Sequence, residues 1–172
     1  MRIVSGRWRG RLIQAPADDR VRPTADRVRE AWMSILQNDI PGARVLDLFA
    51  GSGALGLEAL SRGASWVDFV ELGGRSLKAL RRNIDALGAA AETTVHRADA
   101  VPFVERLPEG AYDIALADPP YGLGLAERVA ARWLEVPFAS VLAVEHGARE
   151  SLPASGSARR YGDTAITFYR RR

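Results

Sequence analysis

Apolar runs alternate with amphipathic stretches along most of the chain. The apolar runs that predict strands span residues 43–49, 66–70, 92–97, 112–117 and 139–144, of which 92–97 is the weakest. The stretches between them have the apolar spacing of helices, at about 54–62, 74–87, 99–107 and 123–135. Strands that alternate with helices are typical of a parallel sheet with helices on both faces.

The two ends of the chain depart from this alternation. "RIVSGRWRGRLIQAP" has short β-prone runs around glycines and predicts a hairpin arm over residues 1–22. "RPTADRVREAWMSILQND" has helical spacing and predicts a helix over 24–38, at the start of one domain over 23–172. "SARRYGDTAITFYRR" predicts two antiparallel strands joined at Gly162-Asp163. The expected architecture is therefore a mostly parallel, seven-stranded α/β sheet that ends in an antiparallel hairpin.

Length and composition narrow the class of protein. A chain of 172 residues without cysteine suggests one domain without disulfides or cysteine-based zinc sites. It has no apolar run near 18 residues and no signal-peptide pattern, so we expect a cytoplasmic protein without a membrane contact. The net charge of +3 favours an anionic partner such as nucleic acid. His96 and His146 lack ligand-spaced partners, so we predict no metal.

A glycine-rich turn follows the first predicted strand of the sheet. "RVLDLFAGSGALG" contains Gly51, Gly53 and Gly56, the G-x-G-x-x-G spacing of a dinucleotide-binding turn. Glu71 lies at the end of the next strand, where a carboxylate can accept hydrogen bonds from both ribose hydroxyls. The two features predict a nucleoside ligand, and they leave open whether it is a dinucleotide or S-adenosylmethionine (SAM).

Two further carboxylates favour SAM over a dinucleotide. Asp47 lies inside the end of the first strand, where it would repel a pyrophosphate but attract the sulfonium and ammonium groups of SAM. Asp99 follows the third strand, where it could accept the amino hydrogen of adenine. Asp47, Glu71 and Asp99 thus close three successive strands at one edge of the sheet.

The segment Asp118-Pro119-Pro120-Tyr121 ends the fourth predicted strand. The lone pair of a nucleobase amine is delocalised into the ring, so the amine needs acceptors for its N–H bonds as it attacks a methyl group. The Asp118 carboxylate and the Pro119 carbonyl can be those acceptors, and the prolines hold them in place. Tyr121 offers a face on which an extruded base can stack. The segment therefore predicts direct methyl transfer to a planar amine.

The N-terminal arm carries the candidate RNA contacts. In an extended arm, Arg7, Arg9 and Arg11 would point to one side, towards phosphates, with Trp8 opposite. The basic character continues into the first helix with Arg22, Arg27 and Arg29. The chain has no room for a separate recognition domain, which suits a structured RNA better than duplex DNA.

These motifs together resemble a known family. Residues 47–53 resemble motif I of class I SAM-dependent methyltransferases, and 118–121 resemble motif IV of the amino-methylating branch. From "MRIVSGRWRGRLI" through "RPTADRVREAWMSIL" to "YGDTAITFYRR", nearly the whole chain resembles the RsmD family, bacterial methyltransferases that modify guanine N2 in small-subunit (16S) ribosomal RNA. The resemblance implies a protein that acts on ribosomal RNA or the small-subunit particle, and we expect the chain to be a monomer. It also implies a set of SAM contacts: Asp47, Phe49, Gly51, Gly53, Glu71, Leu72, Asp99 and Ala100.

Other functions remain open from the residues alone. The acceptor could be adenine N6, cytosine N4 or a protein glutamine amide, although relatives that methylate glutamine carry Asn where Asp118 stands. A dinucleotide-dependent oxidoreductase has only the glycine spacing in its favour, and a non-catalytic RNA-binding module leaves D-P-P-Y unexplained. The pair Gly73-Gly74 departs from the family pattern, because an ordinary helix start is usual after the ribose-binding acid.

Overall fold

A seven-stranded sheet forms the centre of the molecule. The computed structural model describes residues 1–15 and 23–172, so Arg22 lies outside the described residues. The strands are β1 (Arg44–Leu48), β2 (Trp66–Glu71), β3 (Thr93–Arg97), β4 (Tyr112–Ala117), β5 (Ala139–Gly147), β6 (Ser157–Tyr161) and β7 (Thr164–Arg170). Their order is β3-β2-β1-β4-β5-β7-β6; β1 to β5 run parallel, and β7 is antiparallel to both β5 and β6. This confirms the predicted class I methyltransferase fold.

Five α-helices cover the sheet in the part of the chain that the structure describes. They are α1 (Pro23–Ile35), α2 (Ala54–Ser61), α3 (Gly74–Leu87), α4 (Ala100–Glu105) and α5 (Leu125–Glu135). Helix α1 is shorter than the predicted 24–38, because the chain turns after Ile35 so that both Leu36 and Ile40 are buried before β1 begins. None of the described helices is long and apolar enough to cross a membrane.

The strand ends set the position of the functional residues. The interior strand β1 has buried positions on both of its faces, as expected for a parallel strand between two layers of helices. Helices α1, α2 and α3 lie on one face with the arm, and α4 and α5 lie on the other. Because β1, β2 and β4 are parallel, Asp47, Glu71 and Asp118 come to the same edge of the sheet. We call this the carboxyl edge.

The N-terminal arm is only partly the hairpin that the sequence predicts. One antiparallel bridge joins Arg2 to Leu12, but residues 5–10 form bends and turns. The alternation predicted for the arm is therefore wrong around Trp8. The turn forms because the arm packs on α2: Glu58, 1% exposed, accepts hydrogen bonds from the backbone N–H of Val4 (2.8 Å) and Ser5 (3.2 Å).

The tip of the arm lies far from the carboxyl edge. The N–H of Trp8 donates to the Oγ of Ser61, at the end of α2, and Arg7 pairs with Glu92, just before β3 begins. Ser61 and Glu92 both precede a parallel strand and so lie near the amino ends of the strands. A five-residue strand such as β1 is about 13 Å long, and the tip of the arm lies towards its opposite end from the glycine turn.

Candidate active site

A cavity of about 540 Å³ opens at the carboxyl edge of the sheet. Most of its lining comes from three segments: the end of β1 with the glycine turn that follows, the D-P-P-Y segment after β4, and the middle of α1. Met1 of the arm and Glu145 of β5 complete it. Its volume falls in the range of small-molecule sites. The structure thus brings together the glycine turn and the D-P-P-Y segment, which are about 70 residues apart in sequence.

The three glycines of the turn have different structural roles. A Cβ atom on Gly51 would project into open space, so this part of the backbone is open to a ligand. A Cβ on Gly53 would lie 2.4 Å from Leu80, and one on Gly56 would lie 2.4 Å from Phe69. Gly53 and Gly56 therefore allow α2 to pack closely, and Gly51 is the glycine that faces the cavity.

Phe49 introduces the turn with an unusual backbone. Its φ of 56° is the only positive φ of a non-glycine residue in the described part of the chain. A non-glycine residue pays a steric cost in this region, and such residues cluster at functional sites. Phe49 lines the cavity, as the resemblance implies for a SAM contact.

The carboxyl group of Asp47 is buried beneath the turn. It is 1% exposed, and its Oδ2 accepts a 3.0 Å hydrogen bond from the N–H of Gly56 in the first turn of α2. Burial raises the pKa of Asp47 from 3.8 to about 8; the Gly56 bond lowers it, and the charge of Glu71 raises it further. The group is therefore poised to lose its proton when a cation binds beside it.

Glu71 connects the two loops at the ends of β1 and β2. Its Oε1 accepts a hydrogen bond from the N–H of Gly51, and its Oε2 accepts from the N–H of Leu72 and of Gly73, all at 2.8 Å. A carboxylate has about four acceptor positions, so about one remains for a ribose hydroxyl. The side chain of Leu72 is 56% exposed next to it and offers an apolar surface.

Gly73, the first residue of the Gly73-Gly74 pair that departs from the family pattern, contacts Glu71. Gly73 precedes the first residue of α3 in an extended conformation, and its N–H binds Glu71 instead of a capping side chain. A Cβ on Gly73 would lie 3.4 Å from Glu71 Oε2, at the limit of ordinary contact. The backbone N–H of Gly73 thus helps to hold the acid in place.

Asp99 and Ala100 lie at the end of β3, outside the lining of the cavity. Asp99 precedes α4 as its N-cap, is exposed, and makes no side-chain capping bond, while Ala100 is buried. Their strand is the neighbour of β2, and the N–H of Ala98 donates to the Glu71 carbonyl. An adenine contact there stays a prediction.

The D-P-P-Y segment leaves β4 at the mouth of the cavity. Asp118 is exposed and its N–H points to the Leu48 carbonyl at 3.5 Å, while Pro119 is buried and Pro120 exposed. The ring of Tyr121 is 45% exposed. An acidic acceptor and an aromatic face are therefore both accessible from the cavity.

Two residues that the sequence analysis missed hold Tyr121 in position. Its hydroxyl donates to Glu145 Oε1 (3.0 Å) and exchanges a hydrogen bond with Thr164 Oγ1 (3.0 Å). The pKa of Tyr121 is raised above its usual range, mainly because the hydroxyl is removed from water. The hydroxyl therefore stays protonated. Glu145 ends the apolar part of β5, a position that the sequence could have indicated; Thr164 enters only through the pairing of β5 with β7.

Helix α1 contributes two buried donors to the wall of the cavity. Arg29 and Trp32 are 7% and 1% exposed, and neither Arg29 Nε nor Trp32 Nε1 has a hydrogen-bond partner among the described residues. Arg29 Nη2 donates to the Arg2 carbonyl at 2.9 Å, which ties the arm to this wall. An unpaired buried donor costs about 1–3 kcal/mol, so an acceptor on a ligand or a water would be stabilising here.

The predicted RNA contacts are spread along the arm and α1. Arg7 pairs with Glu92 and lies over the ring of Trp8 at 4.1 Å, so the prediction that Trp8 faces away from the arginines is wrong. Arg11 Nη2 donates to the Ala86 carbonyl at 2.8 Å. Arg9 on the arm and Arg27 on α1 are exposed. The structure does not bring these arginines together at the cavity, although they lie on the same face of the sheet as its α1 wall.

The two histidines lie in packed surroundings. His146 bonds to Thr167 Oγ1 (2.8 Å) and the Gly147 carbonyl (2.9 Å), and the ring of His96 packs at 5.0 Å from that of Phe103. In the parts of the chain that the structure describes, no three His, Asp or Glu side chains come together as a group that could hold a metal ion.

Comparison with known proteins places the chain in a family. A family profile described as conserved hypothetical protein 95 matches residues 1–170. Among curated proteins, ribosomal RNA small subunit methyltransferase D of Escherichia coli K12 is 41% identical over 128 residues, which are 74% of this chain and 63% of that protein. The protein of the same name from Haemophilus influenzae is 37% identical over 131 residues, 74% of this chain and 67% of that protein. The match thus spans somewhat less than two thirds of the E. coli relative.

Solved structures agree with the fold over the whole chain. The structure of yhhF from Escherichia coli has a TM-score of 0.84 at 34% identity and covers 99% of this chain and 97% of that one. A hypothetical protein of Thermus thermophilus has a TM-score of 0.83 at 30% identity and covers 99% of both chains. With its seven-stranded fold and the profile match over nearly its full length, the chain belongs to the conserved hypothetical protein 95 family, which is the RsmD family that its sequence resembles.

Proposed function

We propose that this chain is a SAM-dependent methyltransferase that modifies the N2 amine of a guanine in small-subunit ribosomal RNA. The observation that carries the proposal is the meeting of Asp47 and Asp118 in one cavity at the carboxyl edge of the sheet. One carboxyl group suits a cationic cofactor, and the other suits an amine substrate. The names of the E. coli and H. influenzae relatives supply the class of RNA.

The buried acid favours SAM over a dinucleotide. In a dinucleotide site the pyrophosphate lies at the N-terminus of the helix that follows the glycine turn. In this chain the carboxyl group of Asp47 lies there and accepts a hydrogen bond from the N–H of Gly56. A phosphate would face an acid there, whereas a sulfonium and an ammonium group would stabilise its charged form.

The residues around the cavity fit SAM. Asp47, Phe49 and Gly51 would hold its methionine part, Gly53 would shape the turn, and Glu71 would bind its ribose. Leu72, with Asp99 and Ala100 beyond it, would contact the adenine. Bound in this way, SAM supplies an electrophilic methyl group. The support is the open space above Gly51, the remaining acceptor position of Glu71, and the exposed Leu72.

Asp118 and Pro119 would act on the substrate amine. Their carboxylate and carbonyl oxygens accept its N–H bonds, which lets the nitrogen become tetrahedral without prior loss of a proton. Pro119 and Pro120 restrict the backbone, so little reorganisation is needed when positive charge develops on nitrogen. Tyr121, fixed through its hydroxyl, presents its exposed ring to a base that has left its stack. The transfer would be direct, without a covalent enzyme intermediate: the methyl group would leave the sulfonium as a neutral thioether, and the cationic amine would then lose a proton to water.

The partner in this proposal is ribosomal RNA, either naked or in the small-subunit particle, and the chain acts as a cytoplasmic monomer. Arg9, Arg11 and Arg27 are exposed on the face from which α1 lines the cavity, and they would contact phosphates. Arg7 contributes less, because its charge is paired with Glu92. Trp8 supports the turn and does not contact RNA, since it is 9% exposed.

Nucleoside mass spectrometry of ribosomal RNA tests the proposal. RNA from a strain that lacks the gene should contain less N2-methylguanosine than RNA from the parent strain. The wild-type gene should restore it, and a gene for the Asp118→Ala variant should not. If N2-methylguanosine is unchanged in the deletion strain and another methylated nucleoside is lost, the substrate is that other base and not guanine.

A further inference from the structure

We propose that Lys78 and Arg82 on α3, together with Arg11 of the arm, form a track for the phosphate backbone of the RNA substrate. This inference rests on the proposed function and adds to it two cations of α3, Lys78 and Arg82, that no motif of the chain identifies. We call these three residues the α3 track.

The spacing along α3 places the cations in a line. Lys78 and Arg82 are four residues apart and exposed, so they share the outer face of the helix. Ala86 lies four residues further, and its carbonyl accepts the 2.8 Å hydrogen bond from Arg11 Nη2. Each step of four residues is about 6 Å along the helix axis. Three positive charges from two distant segments therefore follow one another over about 12 Å.

The positive charge of this face is not neutralised internally. Neither Lys78 nor Arg82 has a hydrogen bond or an ion pair with its side chain among the described residues. Arg11 binds a carbonyl, which leaves its charge uncompensated. The one acid of α3, Asp85, lines a separate depression with Arg81 beside β3.

The acids beneath the arm are occupied by other groups. Glu58 is buried and accepts from the N–H of Val4 and Ser5 and from Arg62 Nε at 3.1 Å. Glu92 is paired with Arg7. The face therefore presents a surplus of cations to solvent, which is the electrostatic footprint of a polyanion site.

The α3 track is continuous with the side of the cavity that a substrate must approach. The arm lies between α1 and α3: the Arg2 carbonyl accepts a hydrogen bond from Arg29 of α1, and the Gln14 N–H donates to Asn83 Oδ1 of α3. Met1 and Arg29 line the cavity, so the same layer connects the track to the D-P-P-Y segment. A single nucleotide is too small to touch both places, whereas a folded RNA can contact the track while one base enters the cavity. Phosphate contacts of this kind position a substrate without reading its sequence.

Binding of RNA by a matched pair of double variants tests the α3 track. Lys78→Gln/Arg82→Gln removes two charges from the track, and Arg106→Gln/Arg128→Gln removes two exposed charges from the α4–α5 face. Both proteins are compared with the wild type on unmodified small-subunit ribosomal RNA at several salt concentrations. We expect the track variant to bind RNA several-fold more weakly and to lower the slope of log K against log salt by about 1.4–1.8. The KM for RNA should rise while kcat at saturating RNA and SAM affinity stay unchanged, and the control should behave as the wild type.

Two results would overturn the inference. One is an unchanged salt slope in the track variant; the other is an equal loss of RNA affinity in both double variants, which would indicate net charge alone. Transfer of methyl groups by the wild type separates this inference from the function. If the wild type methylates RNA and the track variant binds as well as the wild type, only the track is wrong. If the wild type neither binds nor methylates RNA, the proposed function fails and the track with it.

Discussion

The carboxyl group of Asp47 and the backbone of Gly56 approach so closely that they define the core of the site. The Gly56 N–H donates to Asp47 Oδ2 at 3.0 Å, and a Cβ on Gly56 would lie 2.9 Å from that oxygen. Burial at this contact keeps the pKa of Asp47 near 8 in the absence of a cation. The stability of the fold and the binding of a cationic ligand are therefore linked through one proton.

The first prediction concerns stability and pH. The folded protein holds the Asp47 proton between pH 3.8 and about 8, where the unfolded chain has released it. The stabilisation that Asp47 contributes to the free energy of unfolding is therefore fully present below pH 3.8. It declines as the pH rises above that value and is lost once the pH passes about 8. Asp47→Asn keeps an acceptor for Gly56 and should flatten this decline. Chemical unfolding of both proteins between about pH 5 and pH 9 measures it; parallel curves would contradict the assignment to Asp47.

The second prediction concerns proton release on binding. At neutral pH, SAM should displace a proton from Asp47, because a neighbouring positive charge favours the carboxylate. Calorimetry of the wild type in buffers of different ionisation enthalpy should show that release, and Asp47→Asn should show less. Equal proton release by the two proteins would place the titrating group elsewhere.

The third prediction concerns the ribose contact. Glu71→Ala removes the acceptor for Gly51 and Gly73 as well as for the ribose, so SAM binding should weaken by about 1.5–3 kcal/mol. Glu71→Gln keeps one acceptor oxygen and should lose less. Calorimetry with SAM and with NAD measures both affinities. Tight binding of NAD without binding of SAM would overturn the cofactor assignment.

The fourth prediction separates the roles of two glycines. Gly56→Ala places a Cβ against Phe69 at 2.4 Å and should destabilise the fold by about 1–3 kcal/mol. Gly51→Ala meets no atom within 4 Å and pays mainly for its φ of 58°, about 1–2 kcal/mol. Gly51→Ala should nevertheless weaken SAM binding more than it weakens the fold, because its Cβ enters the cavity. Thermal unfolding and SAM titration together test the pair; a folded Gly51→Ala with full SAM affinity would place the cofactor elsewhere.

The fifth prediction concerns the anchor of the arm. Glu58→Ala removes the buried carboxylate that accepts the partly buried N–H groups of Val4 and Ser5, and it should cost about 2–4 kcal/mol. Glu127→Ala on the exposed side of α5 is the control and should change stability by less than about 0.5 kcal/mol. RNA affinity should fall with Glu58→Ala as the arm detaches. Equal unfolding free energies for the two variants would mean that the arm is not held by Glu58.

The sheet was predictable because its signal is local. Each buried strand appears as an apolar run, and the glycine turn and D-P-P-Y fall at strand ends that the pattern fixes. The arm was predicted less well, since the turn over residues 5–10 depends on Glu58 and Ser61, which are about 50 residues away in sequence. A pattern of Gly and Arg does not encode that contact.

The same distinction holds for the site. Asp47, Glu71 and Asp118 were found because parallel strands bring their carboxyl ends to one edge. The contact of Tyr121 with Thr164 depends on the register of β5 with β7, which pairs Gly147 with Thr164. That register is a tertiary property that no short motif contains.

A further prediction concerns the role of Asp118 in the chemical step. Guanine N2 does not need to lose a proton before attack, so Asp118 should act as a preorganised acceptor beside developing positive charge. Asp118→Ala should cost about 2–4 kcal/mol in the chemical step, and Asp118→Asn, which keeps a carbonyl oxygen, should retain clearly more activity. SAM affinity should change little in both. Equal inactivity of the two variants with normal SAM and RNA binding would show that the charge or basicity of the carboxylate is indispensable.

Single-turnover transfer of an isotope-labelled methyl group from SAM to unmodified small-subunit ribosomal RNA tests whether the chain methylates guanine N2 with the help of Asp118. The purified chain is used at saturating SAM, and the RNA is digested to nucleosides for mass spectrometry. We expect label in N2-methylguanosine with the wild type and a rate lower by about 30-fold to 1,000-fold with Asp118→Ala. Label in any other nucleoside, or no label from a wild-type protein that binds both SAM and the RNA, would contradict it.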